Sequence, residues 1–317
     1  MRVTVTGATG LVGRVLVGSL LARGEEVTVL TRDPDRASAT LGASGLGPVH
    51  ALRWEPNSEA APVEALAGRD AVVHLAGENV ARRWSASARR AIRDSRVLGT
   101  RNLLAGLERA GEPRLDQRPR VLISSSAIGY YGPHGEEPLD EDAPAGGGFL
   151  PQVCVEWEAA ARGASLLGMR VVTPRLGIVL DRRGGALGRM LPAFRLGLGG
   201  AIAGGRQYMS WIHIEDVAGM ICAALEDERW SGPVNATAPE PVTNREFTGV
   251  LARVLERPAV LPVPAPALRL LLGEMAEIIV TGARAVPAKP LVLGYEFNHP
   301  QLEPALRAAL APGSPSR

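Results

Sequence analysis

RVTVTGATGLVGRVLVGSLLARG, residues 2–24, carries three successive signals. RVTVTG (2–7) is a β-branched run that reads as a buried parallel strand. LVGRVLVGSLLARG (11–24) has helical periodicity and stops at Gly24, a residue suited to a helix C-terminus. Between them stands Gly7-Ala8-Thr9-Gly10-Leu11-Val12-Gly13. Gly7 permits a tight turn, Gly10 lets backbone N–H groups approach a pyrophosphate, and Gly13 lets the helix pack on the strand. The helix N-terminus adds a favourable dipole, so Gly7, Thr9, Gly10, Leu11, Val12 and Gly13 are expected to hold a dinucleotide.

The next strand, EVTVLTR (26–32), should end where the adenosine ribose lies. Thr31 and Arg32 stand there, and an arginine suits a 2′-phosphate, so NADP is expected over NAD, with Arg36 as a second contact. Asp33 keeps the alternative open: a one-residue shift of the strand end would restore an acid and leave Arg32 a solvated loop charge. Farther along, His74-Leu75-Ala76-Gly77 closes another strand. Leu75, Ala76 and Gly77 would let backbone lie against the cofactor, with Ser124 beside it, and His74 reads as structural.

The pattern repeats outward. VHALRW (49–54), AVVHLAG (71–77), VLISSS (121–126) and RVVTPRLGIVL (170–180) read as strands. Helices are expected over 85–110 with Ser85 as N-cap, over 150–168 and over 214–227, and Thr243-x-x-Glu246 forms a capping box for one more. Alternating βα units predict an α/β fold, a Rossmann-type doubly wound parallel sheet with a smaller C-terminal lobe on the substrate side. The core is expected over 1–180, rejoined by about 211–240. The smaller lobe would span 181–317, including a C-terminal unit over 264–311. The glycine-rich stretch 184–205 shows no clean period and reads as lid-like loop, and the final PGSPSR (312–317) as a frayed end.

Bulk properties narrow the classes of function. The net charge is +2, with arginines scattered along the chain rather than gathered in a stripe, which argues against nucleic acid as a partner. Cys154 and Cys222 lie far apart without CxxC or His-rich spacing, so neither a disulfide nor a metal site is expected. A strand begins at the second residue and leaves no room for a targeting peptide. ALRLLLGEMAEIIV (267–280) contains Arg269, Glu274 and Glu277 and is too short for a bilayer, so it reads as a buried or interface helix. The expectation is a cytoplasmic protein with a small-molecule substrate and no membrane partner; a homodimer is compatible with it.

VLISSSAIGYYG (121–132) then poses the chemical question: a buried strand delivers three hydroxyls and two phenols to its tip. A phenol with pKa near 10 needs roughly three units of depression, about 4 kcal/mol from a cation, to work at neutral pH. TGATGLVG, HLAG, ISSSAIGYYG and WIHIEDV (211–217) together resemble an extended short-chain dehydrogenase/reductase. The resemblance implies a serine at the fifth strand's end, matched by Ser126, and a tyrosine followed four residues later by a lysine. Cys154-x-x-x-Glu158 or Val153-x-x-x-Trp157 stands where that pair belongs, and the chain's single lysine, Lys289, has no tyrosine four residues before it. GENVARRWS (77–85), SRVLGTRNL (95–103) and GRQYMSWIHIEDV (205–217) are similar to an atypical epimerase-family branch with a small C-terminal domain of unknown function, matched by 264–297. Arg175-Leu176-Gly177 replaces the segment typical of nucleotide-sugar epimerases and argues against that substrate.

The candidate catalytic groups are therefore Ser126, Tyr130, Tyr131 and Glu78, the last acting as a base if burial raised its pKa. Arg83, Trp84, Arg175, Gln207, Trp211 and His213 are expected to converge over the strands' carboxyl ends, with Cys154 and Glu158 on the following helix. An anionic or polar substrate with a flat part would suit them. Trp211 and His213 are equally open to packing roles, and Cys154 to a core role. Two functions follow: an NADP-dependent oxidoreductase or epimerase-like enzyme with a rebuilt proton relay, which the reading favours, or a non-catalytic NADP-binding regulator.

Overall fold

The computed structural model describes residues 1–47, 49–111 and 117–311; PGSPSR lies outside them. The described residues begin with β1 (Arg2–Thr6), α1 (Leu11–Ala22), β2 (Glu26–Thr31), α2 (Pro34–Gly42), β3 (His50–Arg53), β4 (Ala71–His74), α3 (Ala86–Ala110) and β5 (Val121–Ser124). The short β6 (Ser126–Ala127) and β7 (Pro138–Leu139) precede α4 (Phe149–Arg162) and β8 (Arg170–Leu176). Next come β9 (Ile178–Leu180), α5 (Gly185–Arg195), β10 (Tyr208–Met209), β11 (Trp211–His213), α6 (Ile214–Glu226) and β12 (Gly232–Ala236). The chain ends with β13 (Val242–Thr243), α7 (Asn244–Leu255), α8 (Ala265–Leu272), α9 (Glu277–Val280), β14 (Arg284–Ala285), α10 (Ala288–Val292) and α11 (Leu302–Leu310).

The main sheet is parallel, in the order β12-β8-β5-β4-β1-β2-β3, with β6 added beside β8. Its direction of winding reverses between β1 and β4, and in such sheets the crevice at the carboxyl ends of the two central strands is the natural ligand site. Alternate strand residues feed opposite faces. Val3, Val5, Val27, Val29, Val73 and Ile123 join Leu16 and Leu20 of α1 and Ile221 of α6 on one side. Leu30, Val72 and Leu122 join Leu103 and Leu107 of α3 and Ala161 of α4 on the other. Each fully buried Leu, Ile or Val contributes about 1.5–3 kcal/mol, so these two layers fix the crevice walls.

A second core gathers Leu187, Leu191 and Phe194 of α5, Trp211, Phe247 and Leu251 of α7, and Leu302 and Leu306 of α11. This corrects the loop-like reading of 184–205: Leu187, Leu191 and Phe194 recur at helical spacing, and the surrounding glycines hid that stripe. The strand expected over 170–180 is two strands. Gly177 breaks it because a Cβ there would stand 2.5 Å from the Ser210 carbonyl oxygen, and β9 leaves the main sheet to pair with β11. Nor is 267–280 one buried helix. α8 stops before Gly273 at φ +63°, and Leu270 and Leu271 are 83% and 70% exposed. Among the described residues no helix is long and apolar enough to cross a membrane.

Candidate functional site

Gly7 adopts φ +69°, and a Cβ there would lie 2.7 Å from the carbonyl carbon of Leu75, so the turn presses directly on the segment after β4. At Gly13 a Cβ would collide with the Gly7 carbonyl oxygen and stand 2.7 Å from Ala8 Cα, which is how closely α1 packs on the turn. α1 begins after Gly10 with no side-chain cap, leaving its first N–H groups facing the crevice side of the turn without a protein acceptor. Those groups, with exposed Thr9 and Gly10 and half-buried Leu11 and Val12, form a cradle that fits a pyrophosphate. Thr6 Oγ1 accepts from the Ala76 N–H (3.2 Å) and shares a hydrogen bond with His74 Nδ1 (2.8 Å), which aligns Leu75, Ala76 and Gly77 along the same edge. Burial pushes His74 down to about 4, so it is a neutral structural ring. Ser124 pairs across from His74, is fully buried, and its Oγ has no acceptor among the described residues.

β2 ends at Thr31, and Arg32 follows it exposed. Asp33 is the N-cap of α2: its Oδ1 accepts from the Arg36 N–H at 3.0 Å. The carboxylate that could have met a ribose thus serves the helix, while the Arg32 and Arg36 side chains remain exposed on either side of it.

At the tip of β5 the sequence candidates collapse into one buried network. Ser126 Oγ donates to Glu158 Oε1 at 2.7 Å, and Arg175 grips the same carboxylate with Nε (2.9 Å) and Nη2 (3.0 Å). The Arg175 and Glu158 side chains are 3% and 2% exposed. Arg175 Nη1 donates to the Tyr131 hydroxyl (3.0 Å) and the Glu141 carbonyl (3.0 Å), and its guanidinium lies 3.5 Å from the Tyr130 ring centre. The Tyr131 hydroxyl reaches Asn235 Oδ1 and the Asp140 carbonyl, each at 2.7 Å. So a cation does face the phenol. Burial nevertheless pushes Tyr131 up to about 12, against the opposing pull of Arg175. Tyr131, expected as a proton donor, is fully buried with its hydroxyl engaged on three sides, and Arg175, expected as a substrate ligand, is the partner of Glu158. Tyr130 is half-buried at the rim.

The other candidates do not all converge. Glu78 is half-buried and ion-paired with Arg82 (3.0 Å), not a desolvated base. Arg83 is exposed near Gly273, and Trp84 donates to the Val80 carbonyl and meets Phe149 edge-on. Gln207 bridges the Ile202 and Ile279 carbonyls, and fully buried Trp211 donates to the Glu240 carbonyl; both hold the second lobe together. His213 caps α6 by accepting from the Glu215 N–H, and burial pushes it down to about 4. His213, Glu215 and His299 bring donor atoms within 4.8 Å of one another, but His299 already pairs with Glu215 at 2.8 Å and His213 Nδ1 is engaged in the cap. Cys154 is buried with its thiol pushed up to about 12, as a core residue would be. Lys289 Nζ holds the Ser231 and Pro233 carbonyls at the start of β12, away from the strand tips.

Sequence reasoning missed Asn235 and Glu141, whose carboxylate accepts the Asn235 N–H at 2.9 Å, and it missed Arg96 of α3. Arg96 Nη1 donates to the carbonyls of Glu78 (3.0 Å) and Ile92 (3.1 Å), beneath Gly77. The signal available was its place in SRVLGTRNL, a stretch that already carries the family resemblance.

Residues 3–236 match the NAD dependent epimerase/dehydratase family, and residues 263–309 match a domain of unknown function, DUF1731. "Epimerase family protein Mb2239" of Mycobacterium bovis is 41% identical over 306 residues, 96% of each chain. The Arabidopsis thaliana relative "Epimerase family protein SDR39U1 homolog, chloroplastic" is 37% identical, over 98% of this chain and 87% of its own. The crystal structure of human epimerase family protein SDR39U1 (isoform 2) with NADPH superimposes with a TM-score of 0.84 at 36% identity, covering 98% of this chain and 99% of that one. With the family model matched over residues 3–236 and relatives of 37–41% identity along nearly the whole chain, the chain belongs to the NAD dependent epimerase/dehydratase family and carries DUF1731 over residues 263–309.

Proposed function

We propose that the protein is an NADP-dependent oxidoreductase or epimerase-like enzyme acting on a small polar substrate. The observation that carries the cofactor preference is the division of labour after β2: Asp33 caps α2, and Arg32 and Arg36 are left for a 2′-phosphate. The human relative crystallised with NADPH supports the same choice. When bound, NADP would supply hydride chemistry, while Gly7, Gly10 and the first turn of α1 hold its pyrophosphate and Leu75 to Gly77 flank it. Ser126 is the hydroxyl nearest the reacting end. Its proton is directed at Glu158, the ion-pair partner of Arg175, so it offers a ligand lone pairs and orients a substrate hydroxyl. Tyr130 is the phenol that remains at the rim. The free thiols of Cys154 and Cys222 accord with a reducing compartment such as the cytoplasm.

A second reading, a non-catalytic NADP-binding regulator, draws on one observation: the charges around Ser126 are already paired with one another. Calorimetric titration with NADPH and NADH, on the wild type and Arg32→Ala, tests the cofactor site. NADPH should be preferred, and the variant should lose about ten- to hundredfold, the worth of a charge-assisted hydrogen bond. If neither nucleotide binds, both readings fall. Turnover of a carbonyl panel at the nicotinamide absorbance separates them.

A further inference from the structure

Two arginines flank the candidate crevice, and their fates differ. In Arg175 the Nε–Nη2 edge is filled by the two oxygens of Glu158, a side-on fork. In Arg96 the corresponding edge donates to no acceptor among the described residues; only Nη1 is engaged, by the Glu78 and Ile92 carbonyls. No carboxylate pairs with Arg96 in the described part of the chain. Glu78, the acid whose charge it feels, has given its side chain to Arg82. The guanidinium lies over the Trp157 ring, 5.1 Å from its centre, and its Cζ stands 3.3 Å from where a Cβ on Gly77 would be. Gly77 follows β4 at the reversal of the sheet, and Trp157 belongs to α4, the helix where a dehydrogenase of this type carries its lysine.

A half-buried guanidinium with no carboxylate paired to it among the described residues bears a desolvation cost that its two carbonyls, the indole and the nearby charge of Glu78 offset only in part, and burial accordingly lowers its pKa. It is also preorganised: two carbonyls and an indole fix its plane, and a planar fork recognises carboxylates bidentately. We infer that the open Nε–Nη2 edge of Arg96 is an anion subsite of the crevice that takes the carboxylate of a small organic acid substrate. The inference rests on the crevice being the cofactor and substrate site proposed above. It gives Arg96 the role expected of Arg175, since Arg175 already has its carboxylate within the fold.

The test uses L-lactate and L-lactamide, matched in shape and differing in charge, titrated calorimetrically into NADPH-saturated protein. Wild type should bind lactate roughly ten- to hundredfold more tightly than lactamide. Arg96→Met should erase that difference, and Arg96→Lys, which keeps the charge but not the fork, should fall between. NADPH affinity should stay within about threefold in both variants, since the fork is assigned to substrate. Equal binding of acid and amide by the wild type, or an acid preference that survives in Arg96→Met, overturns the inference. So does loss of NADPH rather than lactate, which would give the guanidinium to the cofactor. If Arg96→Met fails to fold by circular dichroism, Arg96→Lys decides alone: an undiminished acid preference refutes the fork. Should the wild type bind no NADPH, the cofactor proposal fails on its own, and the same titrations on the nucleotide-free protein still decide the anion subsite.

Discussion

Removing the charge of Glu158 while keeping its shape isolates the network at the tip of β5. In Glu158→Gln, Arg175 would retain its 3% exposure but lose the carboxylate that both Nε and Nη2 grip. Breaking a buried pair from one side costs about 3–5 kcal/mol, because it strands the partner's charge. For a chain of this size each kcal/mol lowers Tm by about 2 °C, so the fall should be about 6–10 °C. Arg175→Met should cost a similar amount, because it strands Glu158 with Ser126 as its one remaining donor. The double variant Glu158→Leu/Arg175→Met should recover most of the loss, since an apolar pair of similar volume has no charge to desolvate. Urea unfolding at pH 7 on wild type, Glu158→Leu, Arg175→Met and the double variant gives the coupling energy directly. A coupling below about 1 kcal/mol is what a solvent-exposed pair would show, and it would refute the reading of Ser126, Glu158 and Arg175 as a desolvated unit.

Three further outcomes follow from the geometry. His74 is held near 4 against about 6.5 when unfolded, so the unfolded chain binds the extra proton and stability falls as pH drops through that window. The gap in urea stability between wild type and His74→Gln should therefore shrink by about 2 kcal/mol from pH 7 to pH 5, and an unchanged gap would show that the ring is not buried neutral. Gly13→Ala forces backbone apart at Gly7 and Ala8, which should cost about 1–3 kcal/mol and weaken NADPH at least about tenfold by calorimetry. Gly42→Ala, with nothing within 4 Å of its added methyl, should change stability by no more than about 0.5 kcal/mol. Tyr131→Phe removes the one proton shared between Asn235 Oδ1 and the Asp140 carbonyl and the acceptor of Arg175 Nη1, and should cost about 1–3 kcal/mol. With a phenol pushed up to about 12, its loss should leave the pH profile of any NADPH-dependent turnover unmoved between pH 6 and 9; disappearance of a limb would restore Tyr131 as the acid.

The parts of the fold legible in the sequence were those governed by neighbours in the chain. Ser85 caps α3 by accepting from the Ala88 N–H, and Thr243 and Glu246 form their reciprocal box, because both motifs are local. The alternation of Val27, Val29 and Leu30 announced a strand buried on both faces. Where distant backbone decides, the reading failed. The split at Gly177 depends on the Ser210 carbonyl, and α5 owes its stability to Trp211, Phe247 and Leu306 rather than to a good helical sequence. α8 ends at Gly273, at positive φ, and a 3-10 turn over Gly273–Ala276 leads to α9, a break that an apolar count across 267–280 conceals.

The candidate site shows the same limit in its charges. Residue types at the strand tips identified Ser126, Tyr131, Glu158 and Arg175, but not that each would satisfy another. The phenol's pKa turns on that pairing. A guanidinium 3.0 Å from the Tyr131 oxygen should favour phenolate, yet that guanidinium is neutralised by Glu158 and the hydroxyl is fully desolvated. Desolvation outweighs the attraction, and the phenol moves up to about 12 rather than three units down. A cation beside a tyrosine makes it acidic only if the cation is not already paired and the phenolate can be solvated, and at Tyr131 neither condition holds. Arg96, by contrast, has no carboxylate partner among the described residues, so the role inferred for it is independent of the paired charges around Tyr131.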